Sequence, residues 1–146
     1  MKEIGVDYEA DLVIDKMHLE TENVEQASKY GWYSAQLSGA REELEIAENN
    51  LVATIARKDL YYRNNVPDGL KPTEGVYKSL VEDDREVQDM KDAVRVCNKT
   101  VNTLFGTTKA FEQRKGSLDN LTKLYLGKYY GETSGSDVSD RDRFSR

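Results

Sequence analysis

The segment Arg57-Lys58-Asp59-Leu60-Tyr61-Tyr62-Arg63 sets three cations among aromatic rings. Such a set can hold a single-stranded nucleic acid, because cations neutralise phosphates and rings stack on bases. The same residues also suit an ordinary helix end, where cations in the last turn favour the macrodipole. Both readings stand on composition alone. A second basic zone comprises Lys109, Arg114, Lys115, Lys123 and Lys128 with the rings of Tyr125, Tyr129 and Tyr130. It is either a solvated face or a second contact.

Other chemistries are poorly supplied. His18 is the single histidine and lies near Asp15 and Glu22. A metal would need more nitrogen or sulfur ligands at suitable spacing. Cys97 is the single cysteine. No histidine pairs with it to make a nucleophile, and no internal disulfide can form. Glu42, Glu43, Glu45 and Glu48 read as a solvated helix face beside Arg41, and Glu82-Asp83-Asp84 as acids in a helical first turn. There is no glycine-rich phosphate loop. The expectation is a protein without catalytic residues, metal or cofactor.

Composition limits the scaffold. The chain has 146 residues, 38% hydrophobic and 33% charged. That balance suits long solvated helices better than a thick core. The net charge of −6 is unevenly spread, with two Lys against eight Asp/Glu in residues 1–25 and five Lys/Arg against two Asp/Glu in residues 101–131. An acidic whole argues against nucleic-acid binding by bulk charge. It leaves room for a local basic surface, since screening confines each patch to roughly 10 Å. No apolar run reaches the roughly 18 residues of a membrane span, and no signal peptide opens the chain. A cytoplasmic location follows as the default.

The elements that position these residues are helices. Tyr30, Tyr33, Leu37, Ala40, Leu44, Ala47, Leu51 and Thr54 alternate at spacings of three and four, a heptad seam. The pattern predicts a helix from about Lys16 to about Arg63, capped by Asp15. Gly31 and Gly39 weaken it by about 1 kcal/mol each. Asn64 to Thr73, with both prolines and Asp68-Gly69, is the one strong breaker. Thr73 then caps a second helix from about Glu74 to about Lys128. Its seam is Leu80, Val87, Met90, Val94, Cys97, Val101, Leu104, Thr108, Phe111, Leu118 and Tyr125. Two seams joined by a short loop predict an all-α fold, a long antiparallel helical hairpin. The loop centre pairs Leu44 with about Ala93 and Tyr30 with about Thr107. The two basic zones then fall on the order of 60 Å apart, at opposite ends. The expected divisions are an acidic arm (1–15), a hairpin domain (16–130, loop 64–73) and a flexible polar tail (131–146).

A second stripe marks the first helix. Trp32, Gly39, Ile46, Ala53 and Leu60 recur every seven residues roughly opposite the seam, with Val24 and Val52 beside them. A two-helix hairpin cannot bury both faces of one helix. The expectation is a homo-oligomer with Trp32, Ile46, Val52 and Leu60 at or near its interface. Cover by residues 1–15 is the alternative.

Asp11, Ile14-Asp15, Leu19, Glu22, Tyr30, Glu43, Glu48 and the pair Tyr61-Tyr62 together resemble the UvsY-type recombination mediators of T-even-type bacteriophages. The resemblance covers residues 11–63, with a weaker echo in the second helix. It implies a ring-forming helical protein that binds single-stranded DNA. Such a mediator loads a RecA-like recombinase in place of the single-strand-binding protein. The resemblance places the DNA contacts at a Lys and an Arg just before the tyrosine pair. Here those positions hold Ala56 and Lys58. Arg57, about 100° round the helix, is then the substitute for the missing charge.

Together these expectations name Arg57, Lys58, Tyr61, Tyr62, Arg63, Lys109, Arg114 and Lys115 as candidate nucleic-acid contacts. The competing expectation is an oligomeric coiled-coil adaptor in phage assembly with no nucleic-acid role.

Overall fold

A computed structural model describes residues 8–127. The expected tail 131–146, the first seven residues, and Lys128, Tyr129 and Tyr130 lie outside the described residues. Four helices make up the rest: α1 (Tyr8–Leu12), α2 (Leu19–Asn64), α3 (Glu74–Asp83) and α4 (Arg85–Leu126). The fold is an all-α antiparallel helical hairpin, and no strand occurs among the described residues. No helix among them is long and apolar enough to cross a membrane.

The hairpin is built on the heptad seam. Along α2, Tyr33, Leu37, Ala40 and Thr54 are buried, and Leu44, Ala47 and Leu51 are half-buried. Along α4, Val87, Leu104 and Thr108 are buried and Met90, Val94, Cys97 and Val101 half-buried. Two neighbouring buried threonines of α4 are tolerated because each finds a carbonyl. The Thr107 hydroxyl donates to the Thr103 oxygen at 3.0 Å and Thr108 to Phe105 at 2.8 Å.

Two ends differ from the sequence expectation. The first helix begins at Leu19, not Lys16, and Asp15 caps a single turn ahead of it. Its Oδ1 accepts the Met17 amide at 2.8 Å, its carbonyl accepts the His18 amide at 3.2 Å, and the Glu22 amide then bonds the His18 carbonyl at 3.1 Å. The second helix is two helices. Asp84 leaves helical geometry at φ −64, ψ 129 and ends α3. Its Oδ1 accepts the Glu86 amide at 2.9 Å, which makes it the N-cap of α4. The break falls inside the seven-residue gap between Leu80 and Val87 in the apolar series. Glu82-Asp83-Asp84 therefore closes one helix and opens the next. Between α2 and α3 the loop turns at Gly69, whose φ of 86 suits glycine. Thr73 caps α3 as its sequence position implies, accepting from the Val76 amide.

The chain divides into two compact units, residues 8–30 with 109–127, and residues 31–108. In the first, Phe111 and Leu118 are the most deeply buried side chains, at 0% and 1% exposure. Burying such side chains is worth roughly 1.5–3 kcal/mol each. Hydrogen bonds between α2 and α4 here include Asn23–Thr122, Gln26–Arg114, Gln26–Phe111 and Tyr30–Glu112. Tyr30 thus lies five residues further along α4 than the loop centre implies. In the second unit Arg63 bonds Glu74 while the adjacent Tyr62 bonds Asp84. Adjacent residues of α2 thus bond Glu74 and Asp84, which stand at either end of α3.

Candidate nucleic-acid interface

The basic turn ends α2 and faces carboxylates. Lys58 Nζ lies 3.0 Å from Asp84 Oδ2 and 3.1 Å from Glu86 Oε2. Arg57 pairs with the other oxygen of Glu86. The Tyr62 hydroxyl donates to Asp84 Oδ2 at 2.8 Å. Arg63 takes Glu74 with both terminal nitrogens, at 2.8 and 2.7 Å, and Asp59 with Nε at 2.7 Å. Its guanidinium also lies 4.8 Å from the Tyr77 ring centroid. Tyr61 and Tyr62 meet edge to face at 5.2 Å.

These partners set the titration of the cluster. Burial pushes the Asp84 carboxyl up, but the Tyr62 hydroxyl, Lys58 and the Glu86 amide outweigh it and hold it below the ordinary range. Arg57, then Lys58, lower Glu86. The hydrogen bonds of Asp84 and Glu86 raise Lys58, and Asp84 raises Tyr62. Glu74 and Asp59 raise Arg63, and Arg63 lowers Glu74. Three cations therefore share a surface with Asp59, Glu74, Asp84 and Glu86. Phosphates approaching Arg57, Lys58 or Arg63 meet groups that already have counter-charges. Of the two rings, Tyr61 is exposed and Tyr62 is half-buried.

In the expected second zone, in the other compact unit, Lys123 and Tyr125 are exposed and the three candidate contacts differ from one another. Lys109 is exposed and pairs with Glu112 at 2.8 Å. Lys115 is exposed and has no carboxylate partner among the described residues. Arg114 is 4% exposed. Its Nε donates to the Leu12 carbonyl at 3.2 Å, Nη1 to Gln26 Oε1 at 2.6 Å and Nη2 to the Val13 carbonyl at 3.0 Å, and Nη2 also pairs with Glu22. Gln26 in turn donates to the Phe111 carbonyl at 2.8 Å. In this arrangement Arg114 fastens residues 12–13 to the helices and offers nothing to a strand.

Sequence reasoning missed the carboxylates. A loop-centred register sets Lys58 opposite position 79, five residues short of Asp84. The available signal was Asp84 itself, an N-cap residue two positions before Glu86 and three before the next core valine. Elsewhere on α2 the second stripe is solvent-facing. Trp32, Ile46, Val52 and Leu60 are 42%, 53%, 67% and 63% exposed, and Gly39 and Ala53 are exposed with them.

This architecture has close counterparts among solved structures. The fold is that of UvsY. A crystal structure of the bacteriophage T4 recombination mediator protein UvsY, lattice type IV, matches with a TM-score of 0.73 at 14% identity over 84% of this chain and 93% of that one. The lattice type I structure of UvsY matches at 0.71 and 16% identity over 84% and 96%, and lattice type II at 0.71 and 15% over 84% and 93%. No protein-family pattern matches the sequence, and no curated protein sequence does. At these identities the likeness to UvsY is one of fold.

Proposed function

We propose that this chain is a recombination mediator that binds single-stranded DNA. In this role it promotes loading of a RecA-like recombinase in place of the single-strand-binding protein, in the host cytoplasm of a phage. The observation that carries the reading is the UvsY fold over 84% of the chain, with the basic-aromatic turn at the end of α2. Arg57, Lys58, Arg63 and the exposed Tyr61 are the proposed contacts, with Tyr62 beneath them. Lys109 and Lys115 are secondary candidates on surface position alone. The mediator works as a homo-oligomer, a ring, in which the exposed stripe of Trp32, Ile46, Val52 and Leu60 meets a second copy. Each protomer holds DNA weakly, and the assembly gathers weak contacts into avidity.

A salt titration of binding to single-stranded oligonucleotides tests this, with Arg57→Ala/Lys58→Ala beside the parent. The parent's affinity should fall linearly in log-log form, and the variant should show a shallower slope. No binding at low salt by the parent would remove the DNA claim. The pairing of every cation in the turn favours a second reading, an oligomeric adaptor in phage assembly, which predicts that null result.

A further inference from the structure

The carboxylates of the basic turn bear on how a strand would be admitted. A phosphate oxygen asks of Lys and Arg the same charge-assisted hydrogen bonds that a carboxylate oxygen does. Lys58 spends them on Asp84 and Glu86, and Arg57 on Glu86. We infer that Asp84 and Glu86 form an acidic latch on the strand site, and that a nucleic acid binds by exchanging its phosphates for these two carboxylates. This inference rests on the strand-binding reading above.

The geometry gives the latch a fixed part and a part able to release. Asp84 is anchored, because its Oδ1 caps α4 while Oδ2 holds Lys58 and Tyr62. Its side chain is only 9% exposed. The Arg57–Glu86 pair is at the surface, with side chains 61% and 41% exposed. Exposed pairs of this kind are weak and screened by salt. A phosphate therefore displaces Glu86 from Arg57 first and competes for Lys58 second. The latch lies at the α3–α4 break, where the Asp84 backbone is already extended and α3 is a separate short helix. Exchange keeps the number of charge-assisted bonds nearly constant. The affinity of each protomer for DNA is accordingly low, and the carboxylates, not the cations, set its threshold.

The test uses the full chain and oligothymidylate, with Asp84→Asn/Glu86→Gln against the parent. Asn caps a helix about as well as Asp, so the fold is retained. Glu86→Gln alone serves as a second variant that leaves the cap untouched. Freeing two cations should steepen the log-log salt slope by about 1.4 and raise affinity on the order of tenfold or more at low salt. Adding Lys58→Ala to the double variant should cancel most of the gain. Glu42→Gln/Glu45→Gln changes net charge equally on a face away from the turn, and it should gain little. If the parent binds and the latch variants bind no tighter, the latch is wrong and the strand site survives. A matching gain by the Glu42/Glu45 variant also overturns the latch. No binding by any protein, freed cations included, overturns the latch and the strand site together.

Discussion

Arg114 shows how a cation can be spent on structure. Its guanidinium is enclosed and donates to two carbonyls, an amide oxygen and a carboxylate. Replacing it by Met would take the Arg114 donors from Glu22 Oε2, Gln26 Oε1 and the carbonyls of Leu12 and Val13. The expected cost is about 3–5 kcal/mol, read from the urea midpoint. Glu22→Gln keeps the shape and an acceptor and should cost less. Acid should loosen the same contacts. The Asp15 amide, then Arg114, hold Glu22 below the ordinary carboxylate range, as their own partners hold Asp84 and Glu86. Groups with lowered folded pKa values stabilise fully above their unfolded values and lose that contribution as pH falls through the folded ones. Stability should be flat near neutrality and fall below about pH 4. Asp84→Asn should remove part of that fall, which denaturation midpoints across pH would reveal.

At the scale of elements, Asp84 separates α3 from α4. Asp84→Ala should cost about 1 kcal/mol more than Asp84→Asn, because both lose the charge that faces Lys58 and only Asn keeps the cap. Thermal melts of the two variants measure the difference. Much of this scale was legible in the sequence. The three-four spacing from Tyr30 to Thr54 named the buried face of α2, and Asn64 to Thr73 named the loop. Propensity and seam spacing are local, so one chain suffices to read them. Pairing is not local. The sequence carried no mark that Asp84 and Glu86 come opposite Lys58, nor that Leu12, Val13, Glu22 and Gln26 converge on Arg114. Cations were legible as cations, but whether each faces water or a carboxylate depends on that pairing.

For the whole molecule, the exposed stripe on α2 is the decisive surface. A Cβ added at Gly31 or at Gly39 meets nothing within 4 Å. Each Gly→Ala change should therefore stabilise α2 by about 1 kcal/mol in an isolated chain. Gly39 lies in the stripe between Trp32 and Ile46, and Gly31 does not. If a second copy packs there, Gly39→Ala should weaken assembly while Gly31→Ala leaves it intact. Ile46→Lys should lower the solution mass with helicity retained. Sedimentation of all three, with circular dichroism, decides whether the stripe joins copies. A parent that sediments as a stable single subunit at micromolar concentration would count against the ring.

The grip of Arg114 on Leu12 and Val13 has one further consequence. It reaches for main-chain oxygens, and every amino acid supplies one. The fastening therefore imposes no lettering on those two positions, and Val13, 68% exposed, can be rewritten freely. Val13→Ser should be silent where Arg114→Met is severe: the lock is particular, and almost any key stock will turn it.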